Sequence, residues 1–216
     1  MLYGLLCSGV TLRRSAKLLK CSYNTIRARL PWLANKARGL HAGALASGSL
    51  STSYILFDEM QSFEHSAAKQ LTIAVAVRHK TGQILSIKVG KMTTKGYLAA
   101  AGRAYGWGPN ESPLCCLAAL GQAGLAAKPA CSVACDAGGW GYPGYIKAKI
   151  PHAEIKRHPS LPVGFDPLFK LNHVCAKIRA DVSRLARKTW ATTKARERLQ
   201  DALDLYVAWN NNYAMG

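Results

Sequence analysis

Two aspartates stand where this chain could do chemistry. Asp58 closes the apolar run Ser53-Tyr-Ile-Leu-Phe, and Asp136 closes Cys131-Ser-Val-Ala-Cys just before the glycine-rich Ala137-Gly-Gly-Trp-Gly141. Each run reads as a short buried strand that ends in a carboxylate. An unpaired ionised carboxylate buried beside Leu56 and Phe57 would cost on the order of several kcal/mol, so Asp58 belongs at an edge where positive charge meets it. Hard cations such as Mg²⁺ take oxygen ligands and need few protein carboxylates, which two strand-terminal aspartates supply. Each Asp could instead cap a loop. Only 11 acidic residues stand against 29 Lys and Arg, however, so a repeated strand-Asp pattern is informative.

The formal net charge is +18. For a folded chain this basic, a polyanion is the natural partner, and release of its counterions would make binding steeply salt-dependent. Seven cysteines, an odd number, lie mostly inside apolar runs and form no CxxC pair. They read as buried thiols of a reducing cytoplasm, not as a disulfide frame or a structural zinc site. The apolar first residues lack the basic leader of a signal peptide, and no run approaches the ~18 apolar residues of a transmembrane helix. The expectation is a cytoplasmic protein that stays out of membranes.

Positioning the two aspartates requires a sheet, and the sequence supplies one. Strands are predicted over 53–59, 69–77 and 84–89, the last two joined by a Thr-Gly turn. Helices follow on either side of a Gly-Trp-Gly-Pro interruption at 106–109, then the strand 131–136, a short helix near 142–150 and a fifth strand near 152–156. A long helix over about 171–189 and a last one over about 195–210 complete the order. Three antiparallel strands, helix, strand, helix, strand, helix is the order of an RNase H-like α/β fold, a mixed sheet flanked by helices. In that layout the first and fourth strands are neighbours, and so are Asp58 and Asp136. In the long helix Leu171, Val174, Cys175, Ile178, Val182 and Leu185 form one apolar stripe at ~100° per residue. Asn172 and Arg179, seven residues apart, project together at its edge.

Ahead of the sheet, residues 1–35 read as a small helical domain. Thr11 can cap a helix with Leu12, Ala16 and Leu19 at helical spacing, and Ser22 can cap a second one from Tyr23 to Leu30, which Pro31 would end or kink. Ile26 and Leu30 would face inward, leaving Tyr23, Asn24, Thr25, Arg27 and Arg29 outside. That is the plan of a helix-turn-helix, with Lys20 in the turn where glycine is usual. The small, flexible composition of residues 36–53 reads as a linker, and 54–216 as the domain carrying the site.

These residues together resemble bacterial insertion-sequence transposases of the DDE superfamily. The resemblance rests on Phe57-Asp58-Glu59, the Lys80-Thr-Gly hairpin, Cys135-Asp136 with Tyr145 after it, Arg184-Leu-Ala-Arg-Lys-Thr-Trp190 and the helix-turn-helix residues. Thirty-five residues separate Asp136 from Asn172, the spacing of the superfamily's second aspartate and third ligand. The resemblance implies that Asp58, Asp136 and Asn172 hold two Mg²⁺ or Mn²⁺ ions and that Arg179 takes the basic position beyond the third ligand. Most of the family has Glu where this chain has Asn172, as some insertion-sequence members do. An amide oxygen can ligate a hard cation but brings no charge. Glu154, Asp166 and Asp181 are the alternative third acids, Asp166 foremost. Glu59 and His173 adjoin the site and read as structural.

On this basis the expected activity is cleavage of phosphodiesters at the ends of an insertion sequence and joining of the 3′-OH to target DNA. Asn24, Thr25, Arg27 and Arg29 would select the ends, and Lys177, Arg184, Arg187 and Lys188 on the long helix would grip the backbone. The implied partners are double-stranded DNA, at element ends and target, and a second copy of the chain in a nucleoid-associated synaptic complex. The chain begins almost at the helix-turn-helix without the zinc ribbon of many relatives, which implies a shortened copy. An inactive copy acting as a DNA-binding repressor is the alternative. A cellular junction resolvase would explain the aspartates but not the helix-turn-helix.

Overall fold

The central strand follows from a two-residue alternation. In the computed structural model, which describes residues 1–139, 141–159, 165–185 and 192–215, β1 runs over Thr52–Phe63. Its Leu56 and Met60 enter the core on one face of the sheet, Ile55 and Phe57 on the other. β2 (Gln70–Arg78) and β3 (Ile84–Lys91) make an antiparallel hairpin, and β2 pairs antiparallel with β1. Gly82 sits in the hairpin turn at φ 73°, a conformation that favours glycine. On the other side β4 (Ala127–Asp136) runs parallel to β1, and β5 (Glu154–His158) parallel to β4. The sheet has five strands in the order β3-β2-β1-β4-β5. The chain is thus α/β, with a mixed sheet flanked by helices.

Three helices precede the sheet: α1 (Leu2–Leu6), α2 (Leu12–Leu18) and α3 (Tyr23–Ala46). Between β3 and β4 come α4 (Ala99–Ala104) and α5 (Ser112–Gly124), and α6 (Tyr142–Lys149) joins β4 to β5. α7 (Phe169–Asp181) and α8 (Arg196–Asn210) follow. One core lies between the sheet and α7, α8 and α3, through Val174, Ile178, Leu199, Leu203, Leu30 and Ala37. The other lies under α5 and α6, through Cys116, Leu120 and Ile146. No helix among the described residues is long and apolar enough to cross a membrane.

Two expectations from the sequence are corrected. Residues 36–53 are not a flexible linker: α3 continues through Pro31 to Ala46. Its buried residues Ile26, Leu30, Ala34, Ala37, His41 and Leu45 keep one helical stripe across the proline, and Leu30 and Ala37 share a core with the sheet. The carbonyl that Pro31 leaves without a helical donor belongs to Arg27, an exposed residue of the helix. The long helix is also shorter than its apolar stripe. It ends at Asp181, Val182 turns to an extended ψ of 101°, and Ser183–Leu185 form a 3₁₀ turn. Tertiary contacts stop it: Gly9 N donates to the Asp181 carbonyl at 2.6 Å, and Tyr206 Oη donates to the Asp181 carboxylate at 2.8 Å.

Candidate functional site

Asp58 does not end its strand. It lies within β1, opposite Val75 of β2, because β1 continues to Phe63 alongside β2 alone. On the β4 side the parallel ladder stops at Phe57↔Cys135, so Asp58 and Asp136 are the next residues of the two strands. From β1 the chain turns to β2 and β3 on one side, and β4 and β5 fill the other. In open α/β sheets the crevice at such a divide, outside the carboxyl ends of parallel strands, is where ligands bind.

The two carboxylates are held differently. Asp58 Oδ1 accepts from Glu59 N at 2.7 Å and from Tyr142 Oη at 3.0 Å. Burial pushes the Asp58 carboxyl above its usual range, neighbouring Asp136 and Glu59 push it the same way, and the two donors only partly offset this. Asp136 Oδ1 accepts from Gly138 N at 3.1 Å, a local turn at the end of β4. Tyr142 Oη also lies 3.1 Å from Glu59 Oε2, so one hydroxyl hydrogen serves two carboxylates. The other oxygen of Glu59 accepts from Thr72 Oγ1 at 2.6 Å and Ser112 Oγ at 2.5 Å. Burial, then Asp58 and Glu59, pushes the Tyr142 phenol far up, so it stays a donor.

The glycine-rich loop makes room for this arrangement. A Cβ on Gly139 would fall 2.1 Å from the Tyr142 ring, closer than any tolerable contact. Tyr142 in turn packs edge-on against Phe57, with ring centroids 5.1 Å apart. The sequence carries this signal in the glycines, but its local pattern marks Tyr142 only as the start of a helix.

Several other acids of the protein find cations. Glu111 pairs with Arg196, Asp201 with Arg38 and Arg198, Asp204 with Arg38, and Glu154 with Lys156. Among the described residues Asp58, Glu59 and Asp136 have no ion pair, and neither have Glu64, Asp166 and Asp181, in a chain with 29 Lys and Arg. Nor do three His, Cys, Asp or Glu side chains among the described residues form a ready metal-holding group.

Asn172 and Arg179 are both exposed on α7, and the helix does not bring Asn172 into bonding contact with either aspartate. Its Nδ2 donates to Asp166 Oδ2 at 2.8 Å, while Asp166 Oδ1 accepts from Leu168 N at 2.8 Å at the start of α7. Arg179 lines a cavity of about 250 Å³ with Met60, Gln61 and Phe63, beyond Asp58 on β1. Cys175, buried between them, has its thiol pushed up to about 12, by burial first and then by Asp58, with Arg179 opposing. Glu154 bonds Ser132 and Asp181 bonds Tyr206, so neither serves as the third acid here. His173 is exposed and stacks on Phe169 at 6.0 Å.

Of the residues expected to grip a DNA backbone, Lys177 is exposed on α7. Arg184 is not on that helix but in the 3₁₀ turn, where burial lowers its guanidinium pKa beside Tyr23, Arg198 and Asp201. Arg187 and Lys188 lie outside the described residues. At the amino terminus the caps form as the sequence indicates: Thr11 Oγ1 accepts from Arg14 N at 3.3 Å and Ser22 Oγ from Thr25 N at 3.0 Å. Lys20 takes the left-handed conformation at φ 49° in the turn between α2 and α3. Ile26 and Leu30 are buried, and Tyr23, Asn24, Thr25, Arg27 and Arg29 are exposed. Arg29 lies over the Trp32 ring at 5.8 Å and Arg13 over Tyr23 at 5.9 Å.

The chain matches no family model, and neither a curated protein nor a solved structure matches it significantly.

Proposed function

We propose that the protein is a DNA transposase of the DDE type, with an RNase H-like sheet behind a helix-turn-helix, which cuts insertion-sequence ends and joins the 3′-OH to target DNA. One observation carries the reading: two aspartates lie side by side just past the point where the parallel β1–β4 ladder ends, neither in an ion pair among the described residues, in a strongly basic chain. The strand order and the antiparallel β2 support the fold half of the reading. The capped α2, the left-handed turn and the exposed polar face of α3 support the helix-turn-helix.

The donor set of Asp58 and Asp136 suits a hard divalent cation, Mg²⁺ or Mn²⁺. Asn172 fits less well, because its side chain is bonded to Asp166 and not to either aspartate of the pair, and its amide oxygen would bring no charge. Bound by these carboxylates, a pair of such cations supplies the Lewis acidity that activates an attacking oxygen and stabilises the leaving one. Tyr142 orients Asp58, and Gly138 N fixes Asp136. Arg179 offers a positive charge to phosphate at the cavity beside β1. Asn24, Thr25, Arg27 and Arg29 read the element ends, and pairing two ends calls for a second copy of the chain.

The Asn172–Asp166 bond favours a second reading, a catalytically silent copy that occupies element ends and represses transposition. Purified protein incubated with labelled duplexes from the gene's own flanks, in Mg²⁺ or Mn²⁺, separates the two. Metal-dependent cuts at a fixed boundary, absent in Asp58→Ala, are expected. Cutting by Asp58→Ala at the wild-type rate overturns the site, and specific binding without cutting in either metal moves the conclusion to the repressor.

A further inference from the structure

Beyond Asp58, the end of the sheet carries a cluster that the proposed chemistry leaves unused. Lys69, just before β2, places its Nζ 5.7 Å from the Tyr105 ring centroid and 5.8 Å from that of Trp107. Lys91 Nζ, at the end of β3, lies 5.1 Å from the Trp107 ring. Trp107 is fixed by its Nε1, which donates to the carbonyls of Gln70 at 3.0 Å and Met92 at 3.2 Å. Tyr105, at the end of α4, is 62% exposed, far more than a core tyrosine. The charged residues of the segment 91–110 are Lys91, Lys95 and Arg103, and the next residue, Glu111, accepts from Lys91 N at 3.0 Å and pairs with Arg196.

This cluster adjoins the Arg179 cavity. Gln70, whose carbonyl anchors Trp107, also lines that cavity with Met60 and Gln61. Gln70 pairs with Phe63, five residues along β1 from Asp58 (63 − 58 = 5). At the rise of a β-strand that distance is on the order of 17 Å, a few nucleotides of extended single strand.

We propose that this surface holds an unpaired stretch of DNA. A base stacks on Tyr105, Lys69, Lys91 and Arg103 hold phosphates, and the backbone is led past Arg179 toward Asp58. An exposed ring among cations, Tyr105 beside the partly buried Trp107, suits a single strand, whose bases offer open faces, whereas the bases of an intact duplex are already stacked. An acidic peptide would use the cations and leave the rings idle. The proposal rests on the DNA chemistry proposed above and adds the form of DNA that this end of the sheet takes.

The test is fluorescence anisotropy of a labelled oligothymidylate and a labelled duplex with the full chain in EDTA, where no cleavage occurs. Tyr105→Ala is expected to weaken oligothymidylate binding by about tenfold and Tyr105→Phe by less than about twofold, with duplex affinity unchanged in both. An equal loss on both DNAs, or no loss on either, overturns the stacking role. Displacement of the oligothymidylate by polyglutamate at matched charge concentration also overturns it, in favour of an acidic protein partner. The two proposals fail separately. Intact single-strand binding without metal-dependent cutting removes the enzyme reading alone, and cutting without a Tyr105 effect removes this one alone.

Discussion

One hydroxyl hydrogen lies between two carboxylates at the centre of the site. Tyr142 is within hydrogen-bond distance of Asp58 and of Glu59, and Glu59 already has two other donors, so Asp58 is the less satisfied acid. Its raised pKa follows from burial and from Asp136, and that shift has two consequences. A cation must displace the proton, so Mn²⁺ affinity should climb as pH rises through the raised pKa and level off above it. Ionised Asp58 also opposes folding, because a carboxyl whose folded pKa exceeds its unfolded one loses stability as pH rises between the two. Asp58→Asn is therefore expected to raise the apo-protein's melting temperature at neutral pH while weakening Mn²⁺ binding at least about tenfold, since even outer partners of metal ligands are worth that much. Calorimetry with and without Mn²⁺ measures both. A lower melting temperature with Mn²⁺ binding intact would mark Asp58 as a structural acceptor.

At the scale of elements, side chains replace the missing neighbour of edge strand β3. Asn211 bonds Ile84 N and O, Gln200 bonds Val89 N and the Ile87 carbonyl, and His41 bonds the Leu85 carbonyl. An open edge would otherwise invite pairing with another chain. The same helices are clamped to each other by Arg38 of α3, which reaches Asp201 at 2.5 Å and Asp204 at 2.8 Å on α8. Burial holds the Asp204 carboxyl above its usual range even though Arg38 pulls it down, so desolvation outweighs the pairing. Arg38→Ala leaves Asp204 without a cation and Asp201 with Arg198 alone, and is expected to cost about 2 kcal/mol, reduced from the range for a buried pair because Arg38 is itself half exposed. Asp204→Asn removes the buried charge and should cost less. Urea unfolding of the two variants gives the order, and a reversed order would mean that the ion pair contributes more than burying Asp204 costs.

For the whole molecule the excess of 18 positive charges attracts any polyanion, so affinity for DNA alone would say little about the residues proposed to contact it. Salt dependence separates them. Arg27 is exposed on α3, and Arg27→Ala should reduce the slope of log affinity against log salt by about 1 if it touches a phosphate. Arg184 is tucked beside Tyr23 and Arg198, so Arg184→Ala should lower the unfolding midpoint and leave that slope unchanged. A change of slope for Arg184→Ala with stability intact would return it to the DNA-facing set.

By itself the sequence determined the order of strands and helices, the caps at Thr11 and Ser22, the turn at Lys20 and the adjacency of Asp58 and Asp136. Those features follow from local periodicity and from a strand order that leaves few arrangements. Only the tertiary structure decided that β1 runs on past Asp58, that α3 passes through Pro31, that α7 stops at Asp181 and that Arg184 turns inward. Each depends on a partner distant in the chain: β2 extends β1, the shared core and α8 keep α3 helical through Pro31, and Gly9 and Tyr206 terminate α7. The Tyr142 link was likewise hidden, because a hydrogen bond to Asp58 across 84 residues leaves no periodic trace. Local patterns record the hydrophobic stripe of an element, whereas its ends and polar contacts are set by whatever packs against it.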